Sequence, residues 1–346
     1  MLKVTSVRDT IVIGGSAGGI DAVSRVIAQL PPDLPATVLV ALHIAPNQDS
    51  VLPEIFARHG KLPALAPSPG RAEPLKKGRL YVVRPDYHLA VVDGEARAVR
   101  GPRVNGRRPA IDVLFRSSAR VRGHSVIGVV LTGMLDDGVG GLREIRSSGG
   151  VALVQDPREA AYPDLPSNAI SGAGADHIVE LDEMGPLLLR LLGVPVPDGP
   201  PKTGRDAGSE RRSMPDPRRG PSQDWSSPSE SPEAGSPSVY GCPECGGVLW
   251  NAGPSDLPRL VCRVGHAYDP ESLLSQQITA SDQAMWKALR ALEEQASLAR
   301  KLELRARSIG DQRAQGRFGE MAAAADRYSR LLRESLLHAA NDLDSR

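Results

Sequence analysis

The feature that most constrains the fold is an alternation of apolar, strand-like runs with helix-like segments over residues 10–192. The clearest apolar runs are residues 10–13, 38–42, 126–131 and 151–154. Residues 79–83 and 88–92 flank a turn at Pro85-Asp86, and we predict that they pair as two strands. Strands that are apolar throughout are buried on both faces, as in parallel sheets whose crossover helices cover both sides. We therefore predict an α/β fold, a three-layer αβα sandwich around a mostly parallel sheet.

The first strand runs into a glycine-rich turn, which a segment of helical periodicity follows at residues 20–27. Such a turn can cradle a phosphate, or it can present a serine nucleophile at a helix N-terminus. A dinucleotide fingerprint would need glycine where Ser16 stands, and the Gly-Lys pair of a Walker loop is missing. The pattern Gly14-x-Ser16-x-Gly18 instead fits the G-x-S-x-G motif of serine hydrolases.

Two further strands also end on reactive side chains. His43 follows the second strand, and the pair Asp136-Asp137 follows the strand at residues 126–131. Loops at the carboxyl ends of parallel strands share one edge of the sheet, so a serine, a base and an orienting carboxylate can meet there. A dinucleotide site would need an acid where His43 stands. The order Ser…His…Asp also differs from that of the α/β-hydrolases.

Composition excludes several classes of partner. The 346 residues carry a formal net charge of +1 and only 3% aromatic side chains, which disfavours nucleic-acid binding. No apolar run approaches the roughly 20 residues that span a bilayer, so we expect no membrane insertion. The N-terminus lacks a signal-peptide pattern, and the three cysteines, which share one short segment, do not form a disulfide framework. We expect a cytoplasmic protein.

Three separated segments resemble the catalytic domain of chemotaxis protein-glutamate methylesterases (CheB): VIGGSAGG at 12–19, LHIAP at 42–46 and VLTGMLDDG at 130–138. Weaker similarities occur at 78–85, 109–115 and 155–157, so the resemblance covers about residues 9–182. It implies a cofactor-free serine hydrolase that demethylates receptor glutamates, and many members also deamidate receptor glutamines. The resemblance makes Ser16 the nucleophile, His43 the base and Asp137 the orienting acid. It also implies an oxyanion hole formed by the backbone N–H groups of Ala17 and Met134.

The chain departs from the family pattern in several places. Ala17 replaces a customary threonine, Leu135 replaces a customary glycine, and Asp136 could compete with Asp137 for the histidine. Family members usually carry an N-terminal receiver domain that gates the site, whereas this chain begins almost at the catalytic strand. We therefore expect either no gating or gating by the C-terminal region.

We predict a catalytic domain over residues 8–193, a disordered linker rich in Pro, Gly and Ser over 194–238, a zinc-ribbon-like module over 239–270 and amphipathic helices over 271–346. The module has the spacing C-x2-C-x16-C-x3-H, formed by Cys242, Cys245, Cys262 and His266. These side chains are typical of a closed structural zinc site. A redox C-x-x-C pair and metal-free buried cysteines are the alternatives.

The helical region carries two apolar stripes, separated by a break at residues 308–311. The first comprises Met285, Leu289, Leu292, Ala296, Ala299 and Leu302, and the second Met321, Tyr328, Leu331 and Leu336. Such helices can pack as a hairpin that buries its own stripes, or they can dock another signalling protein.

Three functions remain open at this point. The first is a serine esterase that acts on methylated chemoreceptor-type proteins. The second is a catalytically silent signalling scaffold, and the third is a small-molecule serine esterase with a similar triad.

Overall fold

The computed structural model describes residues 6–45, 51–196, 235–252 and 259–344. They divide into two compact units, Met1–Leu273 and Leu274–Arg346. Most of the linker predicted for residues 194–238 lies outside the described residues.

The strands are β1 (Ser6–Val7), β2 (Thr10–Gly15), β3 (Thr37–Leu42), β4 (Ala64–Leu65), β5 (Glu73–Pro74), β6 (Arg79–Val82), β7 (His88–Val92), β8 (Glu95–Val99), β9 (Val126–Val130), β10 (Val151–Gln155), β11 (His177–Val179), β12 (Pro195–Val196), β13 (Pro237–Gly241), β14 (Val248–Asn251), β15 (Leu260–Cys262) and β16 (Ala267–Tyr268). The helices are α1 (Gly19–Ala28), α2 (Leu52–His59), α3 (Ile111–Arg122), α4 (Val139–Ser147), α5 (Asp164–Gly172), α6 (Leu181–Leu191), α7 (Pro270–Ser308) and α8 (Gln312–Asp344).

A seven-stranded sheet forms the centre of the first unit, in the order β11-β10-β9-β2-β3-β6-β4. Every neighbouring pair in it is parallel. Strands β2, β3 and β9 are buried along their whole length, which explains why they are almost entirely apolar. The predicted α/β fold with a parallel sheet is confirmed.

The helices cover this sheet in two groups, with α1, α2 and α6 in mutual contact through α1, and α3, α4 and α5 in contact through α4. Close approach of α3 requires glycine in β2, because a Cβ on Gly14 would lie 2.3 Å from Cγ2 of Ile111. This contact brings the start of α3 directly beneath the end of β2.

One pairing that the sequence suggested is wrong. The turn at Pro85-Asp86 suggests that residues 79–83 and 88–92 pair with each other, but β6 pairs with β3, and β7 pairs antiparallel with β8. The turn between β7 and β8 is Asp93-Gly94, and both residues have positive φ. Asp-Gly with two positive φ angles is the preferred two-residue hairpin turn, so this local signal determines the partner of β7.

Strands β13 to β16 form a separate four-stranded antiparallel sheet. Its small core contains Leu249, Leu260, Tyr268 and two cysteines. We call residues 237–268 the cysteine module. It belongs to the same compact unit as the parallel sheet.

In the second unit α7 and α8 run antiparallel, as two ion pairs between them show. Arg300 pairs with Asp326, and Glu293 pairs with Arg333. The stripe predicted for α7 faces inwards, with Leu289, Ala296 and Ala299 buried. The stripe predicted for α8 is largely wrong, since Met321, Tyr328 and Leu331 are exposed. Leu336 of that stripe is buried as predicted, and the rest of the buried face carries Ala322 and Ala325, because small side chains allow the helices to approach closely. No helix in the described part of the chain has the length and apolarity needed to cross a membrane.

Candidate active site

Three neighbouring strands bring the predicted catalytic side chains to one edge of the sheet. Because β2 lies between β3 and β9, the loops that carry Ser16, His43 and Asp137 leave adjacent carboxyl ends. Backbone hydrogen bonds join these loops, from Ser16 N to Thr132 O at 3.0 Å and from His43 N to Gly15 O at 3.3 Å. The triad geometry is therefore built on the hydrogen-bonded frame of the sheet.

Ser16 lies just before the N-terminus of α1, where Gly18 caps the helix with φ of 74°. The loop after β9 packs directly against this serine. A Cβ on Gly133 would lie 2.8 Å from Cβ of Ser16, so only glycine fits there without displacing the serine.

His43 contacts both other members of the predicted triad. Its Nδ1 lies 2.9 Å from Oγ of Ser16, and its Nε2 lies 2.6 Å from Oδ2 of Asp137. An ionised carboxylate only accepts hydrogen bonds, so Nε2 carries a proton and Nδ1 is left free to accept the serine proton. The ring is nearly buried, with 8% of the side chain exposed, which keeps water away from this exchange.

Asp137 accepts four N–H groups. Besides His43, they are Ile111 N at 2.7 Å, Asp112 N at 3.3 Å and Asn105 Nδ2 at 3.1 Å. Burial alone would raise the pKa of Asp137, but the hydrogen bond and charge of His43 and the other donors lower it below its ordinary value. Two of these donors are the first N–H groups of α3, at the positive end of that helix.

Asp136 points away from the histidine. Its carboxylate accepts hydrogen bonds from the hydroxyl and the backbone N–H of Ser272. Burial raises the pKa of Asp136 to about 6, although the Ser272 hydroxyl acts in the opposite direction. The competition between the two carboxylates is thus resolved geometrically in favour of Asp137.

The backbone N–H groups of Ala17 and Met134 have no acceptor among the described residues, as donors to an oxyanion require. Next to them Leu135 adopts φ of 64°, the left-handed region that favours glycine. The loop therefore has a glycine-type conformation at the position where a leucine replaces the family's glycine.

A cavity of about 340 Å³ opens beside the histidine. It is lined by residues 43–45, Arg103 and residues 106–109, so three arginines surround it. Arg108 is paired with Asp86 at 2.8 Å, which lowers the pKa of that aspartate.

The four predicted metal ligands also come together, with their ligand atoms all within 4.8 Å of one another. Sγ of Cys245 lies 3.6 Å from Sγ of Cys262, and Nδ1 of His266 lies 3.6 and 3.4 Å from Sγ of Cys242 and Cys262. A tetrahedral zinc with bonds near 2.3 Å would hold such atoms about 3.8 Å apart. Nε2 of His266 faces Glu244 at 3.6 Å, as a ligand's second nitrogen commonly does. The donor set fits a bound metal ion.

Several residues at the site escaped the analysis of the sequence. Asn105 contacts Asp137, and Gln155 accepts from Thr132 N at 2.8 Å, which fixes the start of the loop after β9. Ser272 of the C-terminal region bonds Asp136 in the same loop, and Asp269 bonds Asn105. Of these residues only Asn105 lies in a recognisable sequence pattern, the turn-forming dipeptide Asn105-Gly106. Both of its residues have positive φ, and they form a two-residue turn between Val104 and Arg107.

Comparison with known proteins identifies the family of the chain. The family model of CheB methylesterase matches residues 11–188. A putative protein-glutamate methylesterase/protein-glutamine glutaminase of Leptospira interrogans is 36% identical over 185 residues, 53% of this chain and 94% of that protein. A second relative, from Methanosarcina mazei and called a protein-glutamate methylesterase/protein-glutamine glutaminase, is 31% identical over 196 residues, and the match spans about half of its length, 53%.

The crystal structure of the CheB methylesterase catalytic domain of Thermotoga maritima superposes with a TM-score of 0.50 at 26% identity. The match covers 53% of this chain and 98% of the Thermotoga domain. These similarities confirm the predicted resemblance and the predicted enzyme class: the chain belongs to the CheB methylesterase family.

Proposed function

We propose that this enzyme removes methyl groups from glutamate methyl esters of chemoreceptor-type signalling proteins, with Ser16, His43 and Asp137 as its catalytic triad. The observation that carries the proposal is the pair of contacts made by His43, at 2.9 Å to Ser16 Oγ and 2.6 Å to Asp137 Oδ2. This is the geometry by which an imidazole activates a serine. Membership of the family supports the ester chemistry.

In the first half-reaction Ser16 Oγ attacks the ester carbonyl carbon while Nδ1 of His43 takes the hydroxyl proton. The N–H groups of Ala17 and Met134 stabilise the oxyanion that forms. Asp137 stabilises the imidazolium through the Nε2–H hydrogen bond. The imidazolium then protonates the departing methoxide, and methanol leaves an acyl-serine.

In the second half-reaction water attacks the acyl-serine. His43 takes a proton from the water and returns it to Ser16 Oγ as the acyl–oxygen bond breaks. The product is the glutamic acid side chain, which then releases its remaining proton to solvent and becomes a carboxylate. The same steps on a glutamine side chain would release ammonia. We include this deamidation in the proposal because the relatives from Leptospira and Methanosarcina are named as glutaminases too.

The cavity beside His43 favours a protein substrate over a small neutral ester. Arg107 and Arg103 border it, and Arg103 keeps 46% of its side chain exposed although it pairs with Glu244 at 3.7 Å. A methyl ester is neutral, but a receptor segment with several glutamates carries a carboxylate at each one that is not methylated. Complementary charge beside the triad would attract such segments.

The test is methanol release from receptor membranes that carry methylated glutamates, together with labelling of Ser16 by a fluorophosphonate probe. Ser16→Ala should lower turnover by at least about a thousandfold. Ser24→Ala is the matched control, because its hydroxyl bonds Ile20 O within α1, and it should stay within about twofold. More than a tenth of the wild-type rate in Ser16→Ala would refute the triad.

The same measurements separate the two alternatives. A silent scaffold would leave Ser16 unlabelled and release no methanol. A small-molecule esterase would turn over p-nitrophenyl acetate well but would not act on methylated receptor.

We also propose that Cys242, Cys245, Cys262 and His266 hold a structural zinc ion, since the donor set is of the type that zinc prefers. When bound, the ion would supply folding free energy to a module whose apolar core is small. We assign it no part in the reaction. The exposed Met321, Tyr328 and Leu331 of α8 are our candidate contacts for another signalling protein.

A further inference from the structure

A short segment after the metal-ligand cluster lies against the loop that carries the triad acid. We call residues 267–272 the docking segment. Ala267 packs with Val104, Ala110 and Val113 in one apolar cluster. Backbone hydrogen bonds add to this contact, from Asn105 N to Ala267 O at 2.7 Å and from Ala267 N to Arg103 O at 3.3 Å.

Asn105 connects the docking segment to the triad. Its Nδ2 donates to Asp137 Oδ1 at 3.1 Å and to Asp269 Oδ2 at 3.3 Å, while its Oδ1 accepts from Asp269 N at 2.9 Å. The N–H of Asp269 can only donate, so it fixes which end of the amide faces Asp137. Asn105 and Asp269 are both buried, with 2% and 5% exposure, so water does not substitute for either.

The docking segment also reaches the two residues that precede Asp137 in the chain, Asp136 directly and Leu135 through Asn168. Ser272 donates to Asp136, and Glu271 accepts from Asn168 Nδ2 at 2.9 Å. The same Nδ2 donates to Leu135 O at 3.1 Å. The loop from Leu135 to Asp137 is therefore held at three consecutive residues by contacts that lead to the docking segment.

We propose that Asn105 is a positioning residue for Asp137, and that the docking segment, through Asp269, sets the orientation of the Asn105 amide. This inference rests on the proposed function, because it concerns the alignment of the same triad. The hydrogen bond from Asn105 keeps Asp137 Oδ1 occupied and leaves Oδ2 directed at His43. The C-terminal region thus contributes to the catalytic step without touching substrate.

The test uses the full-length chain and measures kcat and KM for methanol release, together with the rate of fluorophosphonate labelling at Ser16. Loss of a hydrogen bond to a buried carboxylate should lower kcat of Asn105→Ala by about tenfold to a hundredfold. KM should stay within about threefold, because Asn105 positions the acid and does not bind substrate. Asn251→Ala is the matched control, since Asn251 bonds Ser236 in the cysteine module, away from the triad, and should retain wild-type kcat.

Two further comparisons distinguish positioning from a general loss of structure. Asn105→Asp keeps the left-handed turn but places a third carboxyl group against those of Asp137 and Asp269, so its kcat should fall at least as far as that of Asn105→Ala. Asp269→Ala should lower kcat severalfold in the wild-type background and less than twofold in the Asn105→Ala background, because both act along one route. Asp269→Asn retains an acceptor and should restore most of the rate.

An unchanged kcat in Asn105→Ala, or additive losses in the double variant, would overturn the inference while leaving the triad intact. If Asn105→Ala does not fold, Asn105→Asp is the test variant, and a wild-type kcat in Asn105→Asp would overturn the inference. Labelling of Ser16 needs no receptor, so the positioning role is tested even if the proposed substrate class fails.

Discussion

Replacing Asp137 with asparagine gives the sharpest test of the triad, because the structure dictates which way the new amide must turn. Oδ2 of Asp137 accepts from His43 and Ile111 N, and Oδ1 accepts from Asn105 and Asp112 N. All four partners are N–H groups. An NH2 group in either position therefore meets donors.

The two orientations differ in how many N–H groups lose their acceptor. With NH2 at the Oδ1 position, Asn105 and Asp112 N both lose theirs. With NH2 at the Oδ2 position only Ile111 N does, because His43 can change tautomer and accept through Nε2. One fewer unsatisfied buried donor favours this second orientation by about 1–3 kcal/mol. In it Nδ1 of His43 carries the proton and cannot accept another from Ser16.

We therefore expect Asp137→Asn to lower kcat by about ten-thousandfold, which corresponds to about 5 kcal/mol in the activation free energy. The assay is methanol release, supported by p-nitrophenyl acetate hydrolysis and by thermal melting to verify folding. Asp136→Asn is the matched comparison, because that neighbouring carboxylate bonds Ser272 and not His43, and it should lose less than about tenfold. If Asp136→Asn were the more damaged variant, the assignment of the orienting acid would be wrong.

Four further predictions follow from individual contacts. Leu135→Gly should raise the free energy of unfolding by about 1 kcal/mol, because φ of 64° strains leucine, and lower stability in urea denaturation would contradict this. Gly133→Ala should lower turnover at least about tenfold, since its Cβ would displace Ser16, and a wild-type rate would show that the loop yields freely. Burial raises the pKa of Asp136 to about 6, so ionising this carboxyl group lowers the free energy of unfolding of the wild type as pH rises from about 4 to 7. Asp136→Asn cannot ionise there, so its free energy of unfolding should rise by up to about 3 kcal/mol relative to wild type over that range, as measured by denaturation at each pH. The purified chain should bind about one zinc ion, and Cys262→Ser should lose this ion and melt at a lower temperature. Equal metal content in the wild type and in Cys262→Ser would show that the cysteine cluster does not hold the ion.

Much of the site could be predicted because its parts are local patterns. The apolar run before Ser16 and the glycines after it predict a strand, a turn and a helix, and β2 and α1 follow them closely. The spacing of the cysteines and His266 likewise predicts a shared cluster, because short knuckles bring such ligands together whatever surrounds them.

The buried face of α8 and the pairing of β6 and β7 depend instead on tertiary contacts. The spacing of Met321, Tyr328 and Leu331 suggests a buried face for α8, yet the alanines face α7, because the closest approach of two helices selects small side chains. Residues 79–83 and 88–92 look like a hairpin but belong to different sheets, because β3 offers β6 a parallel partner.

The sequence by itself determined the identity and chain order of the serine, the histidine and the acidic pair, and the alternation that builds a parallel sheet beneath them. Tertiary structure alone decided that Asp137, and not Asp136, faces His43, because that choice depends on donors from α3 and Asn105. It also decided that Asp269, 164 residues from Asn105, completes the surroundings of the triad acid. Hydrogen bonds between residues so far apart leave no periodicity or spacing in the chain, since only the folded backbone brings them within reach.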